Sequence, residues 1–354
     1  MTPSPAPYDD IKQLLAEAGF PADFELNLLA GDASERDFYR VVFRGAPDWH
    51  PAAVVAMRYI EGGPEAKRIF LETRQVLEDA GVRVPRCYRH RENLVLLEDL
   101  GDETLERAVA GKEDAPGTEA LFRRAIDTLL LIQFEPMRSP RPGCAAFGMA
   151  FDEEKLMWEL DFFIENAIRV YAGRRMEGGD ERFVRESFKE IARALAAEPR
   201  YFTHRDYHSR NLMVVGGGLG VVDFQDARLG PLQYDLVSLL QDAYVSLPEG
   251  LIEKIKRYYI DGASERLGRP VEEEDFERIY RLMTVQRSLK AAGSFTFLDC
   301  VKKKNRYLRH LPAALGHAYR AMDEAGWTSL REVLGRYIRA DGDETNRSRE
   351  ARPE

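Results

Sequence analysis

The feature that most constrains this chain is a polar run set between apolar segments, His204-Arg205-Asp206-Tyr207-His208-Ser209-Arg210-Asn211, followed twelve residues later by Asp223. Between Asn211 and Asp223 lie two short apolar runs, LMVV and LGVV, joined by Gly216-Gly217-Gly218. Apolar runs separated by glycines in this way read as a β-hairpin. A hairpin brings its two ends side by side, so Asn211 and Asp223 are expected to be neighbours. Asn211 offers a neutral carbonyl oxygen and Asp223 an anionic one, the hard donors that suit Mg²⁺. Asp206 supplies a carboxylate able to orient a hydroxyl and receive its proton. Asp and Asn near turns often bond only their own backbone. Here the order, both spacings and the hairpin agree on one site. His204 and His208 stand four apart, but Arg205 follows the first and nothing supplies a third ligand, so a zinc helix is not expected.

Charge and composition narrow the partners. The formal net charge is −9, and no basic stripe dominates, which argues against nucleic acid, whose binding rests on phosphate neutralisation. Lys302-Lys303-Lys304 reads as a solvated turn or helix end. Hydrophobic residues make up 44%, ample for a core, yet no apolar stretch approaches membrane-spanning length. Cys87, Cys144 and Cys300 form no CxxC or zinc spacing, as for reduced thiols in a cytoplasmic protein. The start MTPSPAPYDD has neither a basic end nor an apolar core, so a signal peptide is not expected. No obligate protein partner is evident.

The order of periodicities predicts an α+β fold in two lobes. Residues 8–20 carry a helical apolar face that ends at Gly19. FELNLLAG, DFYRVVFRG and AAVVAMRYI read as an antiparallel meander. A helix is expected over 65–80, then a buried strand in NLVLLEDL that runs into the bend Leu100-Gly101-Asp102. Helical periods follow over 118–135, 153–172, 181–197, 234–246, 248–267 and 272–292. The organisation is therefore a small sheet-rich N-terminal lobe (1–97), a hinge (98–102) and a large helical C-terminal lobe with the embedded hairpin (103–340). The charged tail (341–354) is expected to be disordered.

HRDYHSRNLM matches the H-R-D-x-x-x-x-N catalytic loop of kinases. With VVDFQDARLGPLQYDLVSLLQD and GDASERDFYRV it resembles the aminoglycoside phosphotransferase/choline kinase superfamily, which has the bilobal protein-kinase-like fold. QRSLKAAGSF and YLRHLP add a similarity to the bacterial N-acetylmuramate/N-acetylglucosamine anomeric kinases of cell-wall recycling. The resemblance covers about residues 25–340. It implies an ATP- and Mg²⁺-dependent transfer of the γ-phosphoryl group to a hydroxyl of a small molecule, with the anomeric hydroxyl of an N-acetylated amino sugar preferred.

Under that resemblance Asp206 is the catalytic base, and Asn211 and Asp223 are the Mg²⁺ ligands. Gly31-Asp32-Ala33-Ser34 corresponds to the turn that covers the phosphates, with Ser34 near the β-phosphate. Arg58 occupies the expected place of the phosphate-gripping lysine and Glu72, or else Glu65, is its partner; Arg36 and Arg40 remain alternatives. Adenine is expected on the backbone of Glu98 and Leu100. His208, Asp226, Gln286, Arg287 and Lys290 are substrate candidates, the last two presenting cations on one helix face. Asp235 reads as a cap and loop brace. The rival functions are an aminoglycoside O-phosphotransferase, a choline- or homoserine-type kinase, and a catalytically silent nucleotide-binding pseudokinase. Protein kinase activity is disfavoured because D-F-Q replaces D-F-G and no A-P-E follows.

Overall fold

The computed structural model describes residues 8–29, 36–45, 51–60 and 63–340. Ser34 with its turn, and the tail 341–354, lie outside the described residues. The chain divides into two compact units, residues up to 103 with 213–225, and 104–212 with 226 onward.

In the first unit the elements run α1 (Tyr8–Glu17), β1 (Phe24–Leu29), β2 (Arg36–Phe43), β3 (Ala53–Tyr59), α2 (Gly63–Asp79), β4 (Cys87–Arg91) and β5 (Leu94–Glu98). The strands form one antiparallel sheet in the order β1-β2-β3-β5-β4. Period-two alternation gives the sheet two unlike faces. Tyr39, Val41, Phe43, Val54, Ala56, Leu94 and Leu96 pack on Ile11, Leu14 and Leu15 of α1. Residues of the other parity, Arg36, Phe38, Arg40, Val55, Met57 and Leu97, line a cavity of about 240 Å³.

The second unit begins with α3 (Leu105–Val109), α4 (Pro116–Arg138), α5 (Ala145–Gly148) and α6 (Glu153–Phe163). A π-helical stretch (Ile164–Tyr171) continues α6, then come α7 (Gly178–Ala196) and β6 (Tyr201–Thr203). The polar run follows, ending in a 3₁₀ turn at Ser209–Asn211, before β7 (Leu212–Val215) and β8 (Gly218–Val221). The hairpin groups with the first unit: Val214 N–H donates to Glu103 O at 2.7 Å and Val221 N–H to Arg83 O at 2.8 Å. The remaining elements are β9 (Arg228–Gly230), α8 (Gln233–Leu240), α9 (Glu249–Leu267), α10 (Glu273–Cys300), α11 (Leu311–Glu324) and α12 (Thr328–Tyr337). β6 and β9 pair antiparallel.

Three helix boundaries differ from the sequence pattern. The expected helix 234–246 stops at Leu240, because Asp242 turns inward to accept hydrogen bonds. The expected helix 272–292 continues to Cys300 through Gly293. Gly293 is buried there, and a Cβ on it would lie 2.9 Å from the Phe163 backbone. The expected helix 153–172 widens into the π-helical stretch after Phe163. No described helix is long and apolar enough to cross a membrane.

The close approach at Gly293 fixes how α10 meets α6. Gly293→Ala should therefore cost about 1–3 kcal/mol by overpacking, read as a lowered thermal midpoint. Gly250→Ala, whose Cβ meets nothing within 4 Å, should leave the midpoint nearly unchanged.

Candidate active site

The polar run 204–211 is suspended from the two ends of α8. At the start of that helix Asp235, fully buried, accepts from the backbone N–H groups of His204 (2.6 Å) and Arg205 (3.0 Å). Just past its end Asp242 accepts from Ser209 N–H (2.9 Å), Ser209 Oγ (2.5 Å) and Tyr244 N–H (2.9 Å). Burial raises both carboxyls against these donors, Asp235 to about 7 and Asp242 to about 6. The bonds hold the loop in an unusual shape, with Arg205 at φ +83°, a conformation a non-glycine residue adopts only when its surroundings enforce it.

The loop presents Asp206 to a cavity of about 150 Å³ that is also lined by His208, Tyr244, Arg287, Lys290 and Phe295. Lys290 Nζ reaches Asp206 Oδ1 at 3.0 Å and Arg287 Nη2 reaches it at 3.2 Å. Arg287 Nε donates to Ser238 Oγ of α8 at 2.8 Å, which sets the angle of its guanidinium. Burial opposes ionisation of Asp206, but Lys290, Arg205 and Arg287 outweigh it and hold the carboxyl well below its usual range. His208 is pushed down to about 3 by burial, with Arg287 and Lys290 adding to the effect. Its ring is therefore neutral and serves as a hydrogen-bonding group. Asn211 Nδ2 donates to Asp206 O at 2.9 Å, so its Oδ1 is the end left to act as a donor atom for a metal.

In the first unit, Glu98, Leu100 and Asp223 line the larger cavity with Arg36 and Arg40. Phe38, Val55, Leu97, Met213 and Val222 give it apolar walls, and Glu98, Asp99 and Leu100 also line it. The slot fits a planar heterocycle, with the two arginines to meet attached phosphates. Asp223 sits at φ +66°, and both Arg36 Nη2 (3.2 Å) and Gln225 Nε2 (2.9 Å) bond its Oδ1. Arg40 grips Asp99 in a fork, Nε to Oδ2 at 2.6 Å and Nη2 to Oδ1 at 3.0 Å. Among the described residues no group of three or more His, Cys, Asp or Glu side chains is disposed as a metal cluster.

Four expectations change. Arg58 does not pair with Glu72; it reaches Asp37 Oδ2, its cross-strand partner, at 2.5 Å. Strand parity is the reason: Arg58 shares the face of Val54 and Ala56, while Met57 faces the cavity. Glu72 and Glu65 both bind Arg68. Gln286 is buried and donates to Glu159 Oε2 at 2.9 Å, off the helix face of Arg287, Lys290 and Ser294. Asp226 pairs with Arg205 Nη1 at 2.7 Å and is not among the cavity-lining residues. Asp242, Ser238 and Tyr244 escaped the sequence reading because they lie in or beside the apolar run DLVSLL; the one clue was a second aspartate seven residues after Asp235.

A model of the phosphotransferase enzyme family matches residues 25–270. The chain belongs to that family. This phosphotransferase is a small-molecule kinase. It is 29% identical over 327 residues to a Neisseria meningitidis protein named N-acetylmuramate/N-acetylglucosamine kinase, covering 91% of this chain and 92% of the relative. A Pseudomonas aeruginosa protein of the same name is 34% identical over 249 residues, 69% of this chain and 70% of the relative. The fold is that of solved structures at low identity. A Cryptosporidium parvum choline kinase superposes with a TM-score of 0.62 at 9% identity, covering 92% of this chain and 99% of that one. An ADP-bound aminoglycoside phosphotransferase gives 0.55 at 14%, covering 90% and 99%. The bilobal α+β expectation is met.

The loop brace makes a testable demand. In Asp235→Asn one of two buried N–H groups loses its acceptor, a cost of about 1–3 kcal/mol. The raised folded pKa adds a pH signature. Asp235 ordinarily titrates at 3.8 and here at about 7, so its contribution is full below 3.8 and is lost as pH rises through 7. The thermal midpoint of the natural protein should fall between pH 5 and 8 more steeply than that of Asp235→Asn; equal slopes would contradict the assignment.

Proposed function

We propose that this phosphotransferase transfers the γ-phosphoryl group of ATP, with Mg²⁺, to the anomeric hydroxyl of an N-acetylated amino sugar, N-acetylmuramate or N-acetylglucosamine. The observation that carries the reading is the pairing of Asp206 with Arg287 and Lys290 in one cavity. Two cations beside the acceptor carboxylate favour an anionic or neutral acceptor. They penalise a polycationic aminoglycoside or choline by like-charge repulsion. Tyr244 and Phe295 offer apolar faces suited to a sugar ring and its acetyl group. The names of the bacterial relatives agree.

Bound MgATP supplies the phosphoryl group and the charge that offsets its oxygens. The side chains do the positioning. Asp206, ionised at all physiological pH, accepts a hydrogen bond from the acceptor hydroxyl and takes its proton as transfer proceeds. So acidic a carboxyl is a weak base. That is enough for a loose phosphoryl transition state, which needs little activation of the nucleophile, and a hemiacetal hydroxyl is more acidic than an ordinary alcohol. Asn211 Oδ1 and Asp223 would each offer an oxygen donor to Mg²⁺. Glu98 and Leu100 would hold the adenine through their backbone. Arg36 and Arg40 take the place given to lysine in related kinases. The intact Asp206, Asn211 and Asp223 weigh against a silent pseudokinase.

Two measurements test this. In steady-state kinetics kcat/KM should rank N-acetylmuramate and N-acetylglucosamine far above kanamycin and choline, and Lys290→Met should cost N-acetylmuramate about tenfold more than N-acetylglucosamine. A higher kcat/KM for kanamycin or choline would sink the reading. Arg36→Ala should raise the KM for ATP by about tenfold or more, the worth of one charge-assisted contact to phosphate, whereas Arg58→Ala should leave it within about threefold. The reverse order would return the phosphate contact to Arg58.

A further inference from the structure

Glu159, on α6, is a charged side chain with no exposed surface. Its Oε2 accepts from Gln286 Nε2 at 2.9 Å. Its Oε1 faces Lys155 Nζ at 3.5 Å and Arg205 Nη2 at 3.9 Å. Gln286, itself fully buried, is adjacent in α10 to Arg287, whose guanidinium contacts Asp206. Arg205 immediately precedes Asp206 in the loop. One carboxylate thus touches both chain segments that carry the groups around Asp206.

This arrangement is costly for stability. Glu159 Oε1, Gln286 Oε1, Arg205 Nε and Tyr234 Oη are all buried without a hydrogen-bond partner. Each such atom forfeits its hydration without full compensation, and buried ion pairs of this kind are often no more stable than apolar replacements. A core selected only for stability has little use for them.

We propose that Glu159 is a positioning residue for phosphoryl transfer, holding Arg205 away from Asp206 on one side and anchoring the Gln286–Arg287 segment of α10 on the other. The proposal rests on Asp206 being the acceptor-orienting carboxylate. Arg205 has three acidic neighbours: Asp226 at 2.7 Å, Glu159, and Asp206, whose field also bears on it. Without the charge of Glu159, Arg205 is drawn towards Asp206 and competes with the acceptor hydroxyl for its oxygens. Gln286 at the same time loses the carboxylate that fixes its turn of helix, and Arg287 shifts with it. Glu159 is not among the residues that line the cavity, so its action is indirect.

The experiment compares Glu159→Gln, Gln286→Glu and the exchange variant carrying both, using MgATP and N-acetylmuramate as probes, with Asp206→Ala in parallel. Glu159→Gln keeps the shape and an amide–amide hydrogen bond. It should lower kcat by about 10- to 100-fold, the cost of a small misplacement at a reacting group, with KM for ATP and the thermal midpoint little changed. The exchange variant puts the carboxylate back across the same bond and should recover most of the lost kcat. Unchanged kcat in Glu159→Gln overturns the proposal, as does a loss that tracks a fallen thermal midpoint and persists in the exchange variant. Full turnover by Asp206→Ala would instead remove the reading of Asp206 on which the proposal rests.

Discussion

Two polar side chains of one short, wholly buried helix, and a third just past its end, hold the loop of Asp206 in place. Asp235 and Ser238 lie at i and i+3, on one side of α8, and Asp242 follows two residues after its last one. The first carboxylate takes the backbone at the start of the catalytic loop, and the last takes Ser209 near its end. Ser238, between them, takes Arg287. Burying carboxylates is expensive unless donors surround them, and the raised values of Asp235 and Asp242 record that expense. In return the loop has little freedom. Asp206 is held within reach of Arg287, whose Nη2 lies 3.2 Å from its Oδ1.

Charge around Asp206 follows from that scaffold. Lys290 and Arg287 approach from α10, and Arg205 from the loop itself. The carboxylate is therefore ionised far below neutrality, and His208 beside it is neutral. A site so arranged has little capacity to pull a proton from an unactivated alcohol early in the reaction. It has every capacity to hold a hydroxyl in line. On the proposed function the chemistry asked of the protein is thus alignment and charge compensation, and the same cations that tune Asp206 would bias the choice of acceptor. Under that reading specificity and catalysis draw on one set of side chains.

The polar run and the hairpin were legible because their residue types and spacings are dictated by chemistry. The sheet strands were legible from their alternation. Arg58 was misread even though alternation, pursued one step further, puts Met57 rather than Arg58 on the face shared by Val55. Gln286 looked like a neighbour of Arg287 in function because adjacency in sequence hides a turn of roughly 100° about a helix axis. Asp242 and Ser238 were invisible within an apolar run: a polar residue on a buried helix reads as an interruption until its partner is known. Glu159 showed only an ordinary helical pairing with Lys155, since its other partners lie 46 and 127 residues away. The π-helical widening after Phe163 and the persistence of α10 through Gly293 are tertiary effects, set by what packs against those turns.

The central claim is that Asp206, held by α8 and flanked by Arg287 and Lys290, orients a sugar's anomeric hydroxyl for phosphoryl transfer. Phosphorus NMR of the protein turning over MgATP with N-acetylmuramate tests it most directly. The account predicts that the γ-phosphate signal gives way to a sugar phosphate coupled to the anomeric proton, and that Asp206→Asn nearly abolishes that conversion. Phosphate appearing on another hydroxyl, or undiminished conversion by Asp206→Asn, would contradict it.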